Sequence, residues 1–316
     1  MPIRILFAGT PEFALPSLNA LQTRFHVVGV LTQPAAAKGR RKRPVLSPVA
    51  AAAHSHAIPV FEPERIDEEF RITVASLAPD LLVCAAYGKI FKKDFLDVFP
   101  LGGINVHPSL LPRHRGPSPI PAAILSGDAM TGVSIQRLAL AMDSGAILAR
   151  QSFPLSGEET TGNLSPRLAE MGALLLPSVI EQIAAGTVRE IEQNPEEATY
   201  CRLLRKEDGK ISFVDSALHI SRMIRAYNPW PFAYTFWQRS RLFFLKGGVY
   251  PHPVPDTAHA VPGLVLGMDK NVGFLIHTCK GILSVSELQR EYKKPLFFKD
   301  FYNGNRDFPG SVCGGP

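Results

Sequence analysis

The chain has 316 residues, 46% of them hydrophobic and 20% charged, which is too long for one average domain and apolar enough for a sizeable core; two domains are expected and whole-chain disorder is excluded. The longest apolar runs fall well short of the ~20 residues of a membrane span, and the opening Met1-Pro2-Ile3-Arg4-Ile5-Leu6-Phe7 leads into a strand-like run without a signal peptide's cleavage region, so a cytoplasmic protein is expected. The net charge of +6 is uneven: residues 1–201 carry 18 Lys and Arg against 19 acidic residues, whereas residues 202–316 carry 16 against 9, an asymmetry that points to a polyanion such as nucleic acid.

Strand and helix signals alternate through the first half. Ile3 to Ala8 is an apolar run ending in Gly9-Thr10-Pro11, and Pro11 suits the first turn of a helix over Glu12 to Gln22. Val27 to Thr32 repeats the strand pattern, Ile66 to Leu77 is spaced as an amphipathic helix, and Leu81 to Ala85 as a buried strand. Gly103 to Val106 and Thr131 to Leu138 follow as strands, and a helix over Thr160 to Ala185, kinked at Pro177, ends at Gly186. This order predicts an α/β, Rossmann-like, mostly parallel sheet with helices on both faces, in which ligands bind beyond the carboxyl ends of the strands.

Beyond a polar stretch containing Pro195 the pattern changes. Ser216 to Tyr227 suggests a short helix, and short strand-like runs recur at Ala233 to Phe236, Leu242 to Lys246, Gly263 to Leu266, Gly273 to His277 and Ile282 to Leu288. About five such strands suit a small β-barrel of the OB-fold kind. The expected division is a catalytic domain over 1–189, a linker over 190–207 and a barrel over 208–316.

One run, Lys38-Gly39-Arg40-Arg41-Lys42-Arg43, interrupts the first half between Pro34 and Pro44. Five cations in six residues repel one another, so a mobile, exposed loop is expected. It is either a solvated surface feature or a contact to phosphates. The four cysteines, Cys84, Cys201, Cys279 and Cys313, form no CxxC pair, and neither a metal nor dithiol chemistry is expected.

The chemistry concentrates near residue 105. With a period of two, Asn105 and His107 point to one side of an exposed strand end, and an amide N–H with an imidazole N–H can stabilise negative charge on a carbonyl oxygen during acyl transfer. Asn-x-His alone is a weak signal and fits a structural role at least as well. Asp143, in the turn Met142-Asp143-Ser144-Gly145, is either a turn cap or a carboxylate that reaches His107 and accepts a proton from an attacking amine.

Taken together, Phe7-Ala8-Gly9-Thr10-Pro11-Glu12-Phe13-Ala14, Ala86-Tyr87-Gly88, Asn105-Val106-His107-Pro108-Ser109-Leu110-Leu111-Pro112-Arg113 and Met142-Asp143-Ser144-Gly145 resemble the folate-dependent formyltransferases. The likeness continues through Arg225-Ala226-Tyr227-Asn228-Pro229-Trp230-Pro231 and covers nearly the whole chain. It implies that Asn105, His107 and Asp143 are catalytic and that Ser109, Leu110, Leu111 and Pro112 hold the folate. It also implies that Lys38, Arg40, Arg41, Lys42 and Arg43 contact the acceptor end of a tRNA. The reaction implied moves the formyl group of 10-formyltetrahydrofolate to the α-amine of methionyl initiator tRNA, in a monomer with neither metal nor membrane partner. His114, Pro117 to Pro121 and Tyr292 depart from the family pattern, and none is expected to touch the catalytic trio.

Rival readings are a formyltransferase for a sugar nucleotide or other small amine, and a formyltetrahydrofolate hydrolase, neither of which needs a basic loop. A nicotinamide-dependent oxidoreductase lacks its GxGxxG, since Gly9-Thr10-Pro11-Glu12 misses the second and third glycines. A non-catalytic RNA-binding protein explains the charge but leaves Asn105, His107 and Asp143 without a role.

Overall fold

The computed structural model describes residues 3–38, 43–252 and 260–315. In chain order the first elements are β1 (Arg4–Gly9), α1 (Leu15–Gln22), β2 (His26–Leu31), β3 (Ala36–Lys38), β4 (Arg43–Val45), α2 (Pro48–Ser55) and β5 (Val60–Phe61). Next come α3 (Glu68–Ser76), β6 (Leu81–Ala85), α4 (Lys93–Leu96), β7 (Gly103–His107), α5 (Pro119–Ser126), β8 (Met130–Arg137), β9 (Ile147–Pro154) and α6 (Thr161–Ala184). Among the described residues, the first sheet has seven strands in the order β5-β2-β1-β6-β7-β8-β9. The pairs from β5 to β7 are parallel, and β8 and β9 join antiparallel.

The local reasons are ordinary ones. β1 and β6 are continuously apolar because a parallel strand is covered on both faces. Ser47 caps α2 through Ala50 N–H, and Asp67 caps α3 through Phe70 N–H. β1 lies between β2 and β6, so the strand order reverses there, and the carboxyl ends at Gly9, Ala85 and His107 bound the crevice where such sheets bind ligands. α6 buries a stripe including Leu164, Leu168, Gly172, Leu176 and Ile180. A Cβ on Gly172 would sit 2.4 Å from Val106 Cγ1, so this glycine lets the helix lie against the strand that carries the site.

The remaining elements are α7 (Ala217–Ala226), β10 (Ala233–Trp237), β11 (Ser240–Val249), β12 (Val265–Asp269), β13 (Gly273–His277), β14 (Ile282–Arg290), β15 (Leu296–Phe297) and α8 (Phe298–Gly304). They form an antiparallel sheet ordered β10-β11-β14-β13-β12, with β15 on β14. The C-terminal tail closes it. Gly310 N donates to Val265 O in β12, Cys313 N to Gly263 O just before it, and Gly314 N to Phe236 O on β10, so the tail bonds along both edges. Trp237, Phe274, Phe301 and Phe308 pack as a buried aromatic core inside this sheet.

Two compact units result: Met1–Pro119, Met130–Pro154 and Leu164–Arg202 form one, and Ile120–Ala129, Leu155–Asn163 and Leu203–Pro316 the other. The stretch 190–207 expected as a linker is therefore divided. Its first part is bonded into the first unit, where Ile191 and Ile147 exchange backbone hydrogen bonds of 2.8 and 2.9 Å. Among the described residues no helix is long and apolar enough to cross a membrane.

Candidate active site

Asn105 and His107 do share one side of β7, and both reach Asp143. Asn105 Nδ2 lies 3.4 Å and His107 Nδ1 3.5 Å from Asp143 Oδ1. Two shorter hydrogen bonds fix the carboxylate: Gln136 Nε2 donates to Oδ1 at 2.7 Å and Gly116 N to Oδ2 at 2.8 Å. Gln136 stands opposite Asn105 in the β7–β8 register, which brings its amide to the same carboxylate. Asp143 itself has φ +50°, a left-handed conformation that Asp tolerates better than most residues.

His107 is buried, only 3% exposed, which corrects the expectation of an exposed strand-end imidazole. The strand end is covered by the chain that follows it. The His107 Nε2 atom lies 3.0 Å from the carbonyl of His114. A carbonyl can only accept, so Nε2 carries the hydrogen and Nδ1 faces Asp143. Burial lowers the pKa of His107 from its usual value, while the Asp143 charge and the His114 carbonyl push it back up and the His114 side chain lowers it. His114 thus touches the trio through its main chain, contrary to expectation; its φ of +58° turns the carbonyl inward. Burial also raises the thiol pKa values of Cys84, to about 12, and Cys201, each with a smaller contribution from Asp143.

The segment expected to hold folate is a pinned loop. Ser109 Oγ donates to Arg113 O at 2.6 Å, Ser134 Oγ donates to Ser109 O at 2.8 Å, and Leu111 N donates to Ser134 Oγ at 3.1 Å. Arg150 Nη1 holds the Leu111 carbonyl at 2.9 Å. Ser109, Leu111 and Pro112 are buried, and Leu110 is half-buried. Of the basic run, Arg40, Arg41 and Lys42 lie outside the described residues, while Lys38 and Arg43 are register partners in the backbone pairing of β3 and β4.

Sequence reasoning missed Gln136, Gly116, Arg115 and Gln193. The signal for Gln136 was present, since Ser134 and Gln136 are polar at alternate positions beside the apolar Val133 and Ile135 and both are buried. Nothing local marks Gln193.

Residues 1–180 match the family described as formyl transferase, and residues 203–306 match its C-terminal domain. The chain is 42% identical over 315 residues to the methionyl-tRNA formyltransferase of Treponema denticola, covering 97% of this chain and 98% of that one. Its fold is shared with the N-formyltransferase of Helicobacter canadensis solved with folinic acid and dTDP-3-aminofucose (TM-score 0.65, 19% identity, 91% of this chain and 99% of that one). It also spans about half of HypX from Aquifex aeolicus, solved with tetrahydrofolic acid (TM-score 0.62, 14% identity, 98% of this chain and 48% of that one). With both regions matched in order and a relative aligned end to end, the chain belongs to the formyl transferase family.

Proposed function

We propose that this chain transfers the formyl group of 10-formyltetrahydrofolate to the α-amine of methionyl initiator tRNA, at the start of protein synthesis. The observation that carries this reading is the 42% identity to a methionyl-tRNA formyltransferase over nearly the full length of both chains, which includes the basic C-terminal region. The site agrees with acyl transfer. Asn105 Nδ2 is a donor beside the place where a formyl oxygen would gain charge, Asp143 is the acceptor for the amine's proton, and His107, held between the His114 carbonyl and Asp143, acts through its charge. A proton taken by the Asp143 and His107 pair puts positive charge on the imidazole as negative charge grows on the formyl oxygen. That proton then goes to the departing folate nitrogen as the carbonyl re-forms. Because Ser109 and Leu111 are buried and bonded within the loop, the folate is met by its backbone and by Leu110. No metal enters this scheme.

The work divides along the chain, with catalysis in the first unit, whose last segment ends at Arg202, and the tRNA held by the C-terminal region from Leu203 onward. The enzyme acts as a monomer in the cytoplasm, binding one tRNA per chain. The deciding experiment incubates the protein with 10-formyltetrahydrofolate and charged initiator tRNA and looks for formyl-methionine. Formate released without any acceptor, or formylation of an amino-sugar nucleotide in preference to the tRNA, would replace this reading with a rival.

The loop from Lys38 to Arg43 gives a second test. Each Lys or Arg that neutralises a phosphate releases counterions, so log K falls against log salt by about 0.7 to 0.9 per contact. Replacing Arg41 and Lys42 with Ala is expected to weaken tRNA binding and to flatten that slope by up to about 2 units. Folate binding should change little. An unchanged slope together with unchanged kcat/KM would make the loop a solvated surface feature.

A further inference from the structure

The segment between the two family-matched regions, which end at residue 180 and resume at 203, sends a side chain to the catalytic turn. Gln193 Nε2 donates to the carbonyls of Asp143 at 2.9 Å and Gly145 at 2.7 Å, and lies 3.3 Å from Gln136 Oε1. Its Oε1 accepts from Arg115 Nε at 3.0 Å and Arg115 Nη2 at 2.8 Å. Both ends of one amide are thus committed, the donors to the turn that carries Asp143 and the acceptor to a buried guanidinium.

Arg115 is fixed from its other side. Its Nη1 reaches Tyr200 Oη at 3.1 Å, its N–H donates to Thr199 O at 2.8 Å, and its carbonyl accepts from Cys201 N at 2.8 Å. The next residue, Gly116, supplies the N–H on Asp143 Oδ2. Only glycine fits there, with φ +119° and a would-be Cβ 2.1 Å from the Cys201 carbonyl. The chain from Gln193 through Arg115 to Gly116 therefore grips Asp143 by both its main chain and its carboxylate.

We propose that Gln193 is a positioning residue for formyl transfer: it holds the turn at Asp143 in its left-handed conformation so that the carboxylate faces Asn105 and His107. This rests on the reading of Asp143 as the proton acceptor. A misplacement of about 1 Å at a reacting group can cost on the order of 10²-fold in rate, and the Gln193 amide bonds at once to the carbonyls of Asp143 and Gly145.

The test uses Gln193→Ala, Gln193→Glu and the neighbouring surface control Glu192→Ala in the full chain. Gln193→Glu preserves volume and the partnership with Arg115 but turns an acceptor toward two carbonyls. Both Gln193 variants should lower kcat about 10- to 100-fold, with KM for the folate donor and the charged tRNA within about threefold. The readout apart from turnover is the His107 imidazole titration by NMR. His107 faces the Asp143 carboxylate, the His114 carbonyl and the His114 side chain, and only the first of these would swing away, so its midpoint should move down. Glu192→Ala should match the parent in all respects. Wild-type kcat and an unmoved His107 midpoint would overturn the proposal, as would a lowered Tm with unchanged kcat per folded molecule, which would leave Gln193 a purely structural tie. If Asp143→Asn is active while the Gln193 variants are not, the reading of Asp143 fails and the proposal falls with it. If Asp143→Asn is impaired and the Gln193 variants are not, the proposal alone falls.

Discussion

Replacing His107 with Ala is expected to lower kcat for formyl transfer by on the order of 10² to 10³, the usual cost of losing one group that stabilises the charge developing at an oxyanion site. The loss should fall on kcat more than on KM for the folate, because the interaction is made as charge develops on the formyl oxygen and not in the ground state. His107 is buried, so this variant also leaves a small void and strands the His114 carbonyl. A cost of about 1 to 3 kcal/mol in stability is expected from the unpaired acceptor. His107→Asn, which keeps a donor near that carbonyl, separates the two effects: it should recover stability and remain slow. Rates per folded molecule, with the folded fraction from circular dichroism, provide the check. A near-normal kcat in either folded variant would remove His107 from the mechanism.

Much of the architecture was legible because it rests on local patterns. β1 and β6 are continuous or nearly continuous apolar runs, β7 alternates with a period of two, and the spacing in Thr160 to Ala185 anticipates α6 to within a residue at either end. What was missed has weak local signals. β9 is an edge strand whose middle residues are exposed, so it shows no two-residue alternation. α8 is seven residues long, and β5 has only two.

At the site, Asn105 and His107 could be paired from strand periodicity alone, and their common approach to Asp143 required the turn at 142–145 to fold back over β7. Gln193 could not be found that way. It is 50 residues from Asp143 in the chain, in a polar stretch whose composition suggests a linker, and its role exists only once Ile191 pairs with Ile147 and Tyr200 with Arg115. The burial of His107 was misjudged for a related reason, since the cover comes from a loop whose fold depends on Ser134 and Thr199.

The Asp143→Asn variant should retain folate binding and lose about 10² to 10⁴ in the rate of formyl transfer, the range of general acid–base contributions. Asn preserves the volume but presents one oxygen where the carboxylate presents two. Gln136 Nε2 and Gly116 N therefore cannot both be satisfied, and one of these donors is left facing an amide NH₂. Charge supplies the sharper signature. Asp143 raises the pKa of His107 against the lowering effect of burial, so removing its charge should move the imidazole titration further below the unperturbed value of about 6.5. The folded state binds this proton more weakly than the unfolded chain, so His107 contributes stability above the unfolded pKa, and that contribution is lost as pH falls from there through the folded pKa. In the variant the folded pKa is lower, so the acid loss should extend over a wider pH range. Single-turnover rates from acid to alkaline pH, run beside an NMR titration of His107, test both parts. Wild-type rates at every pH would make Asp143 a residue of the turn alone, and a His107 midpoint that stayed in place would show that the 3.5 Å separation carries no electrostatic coupling.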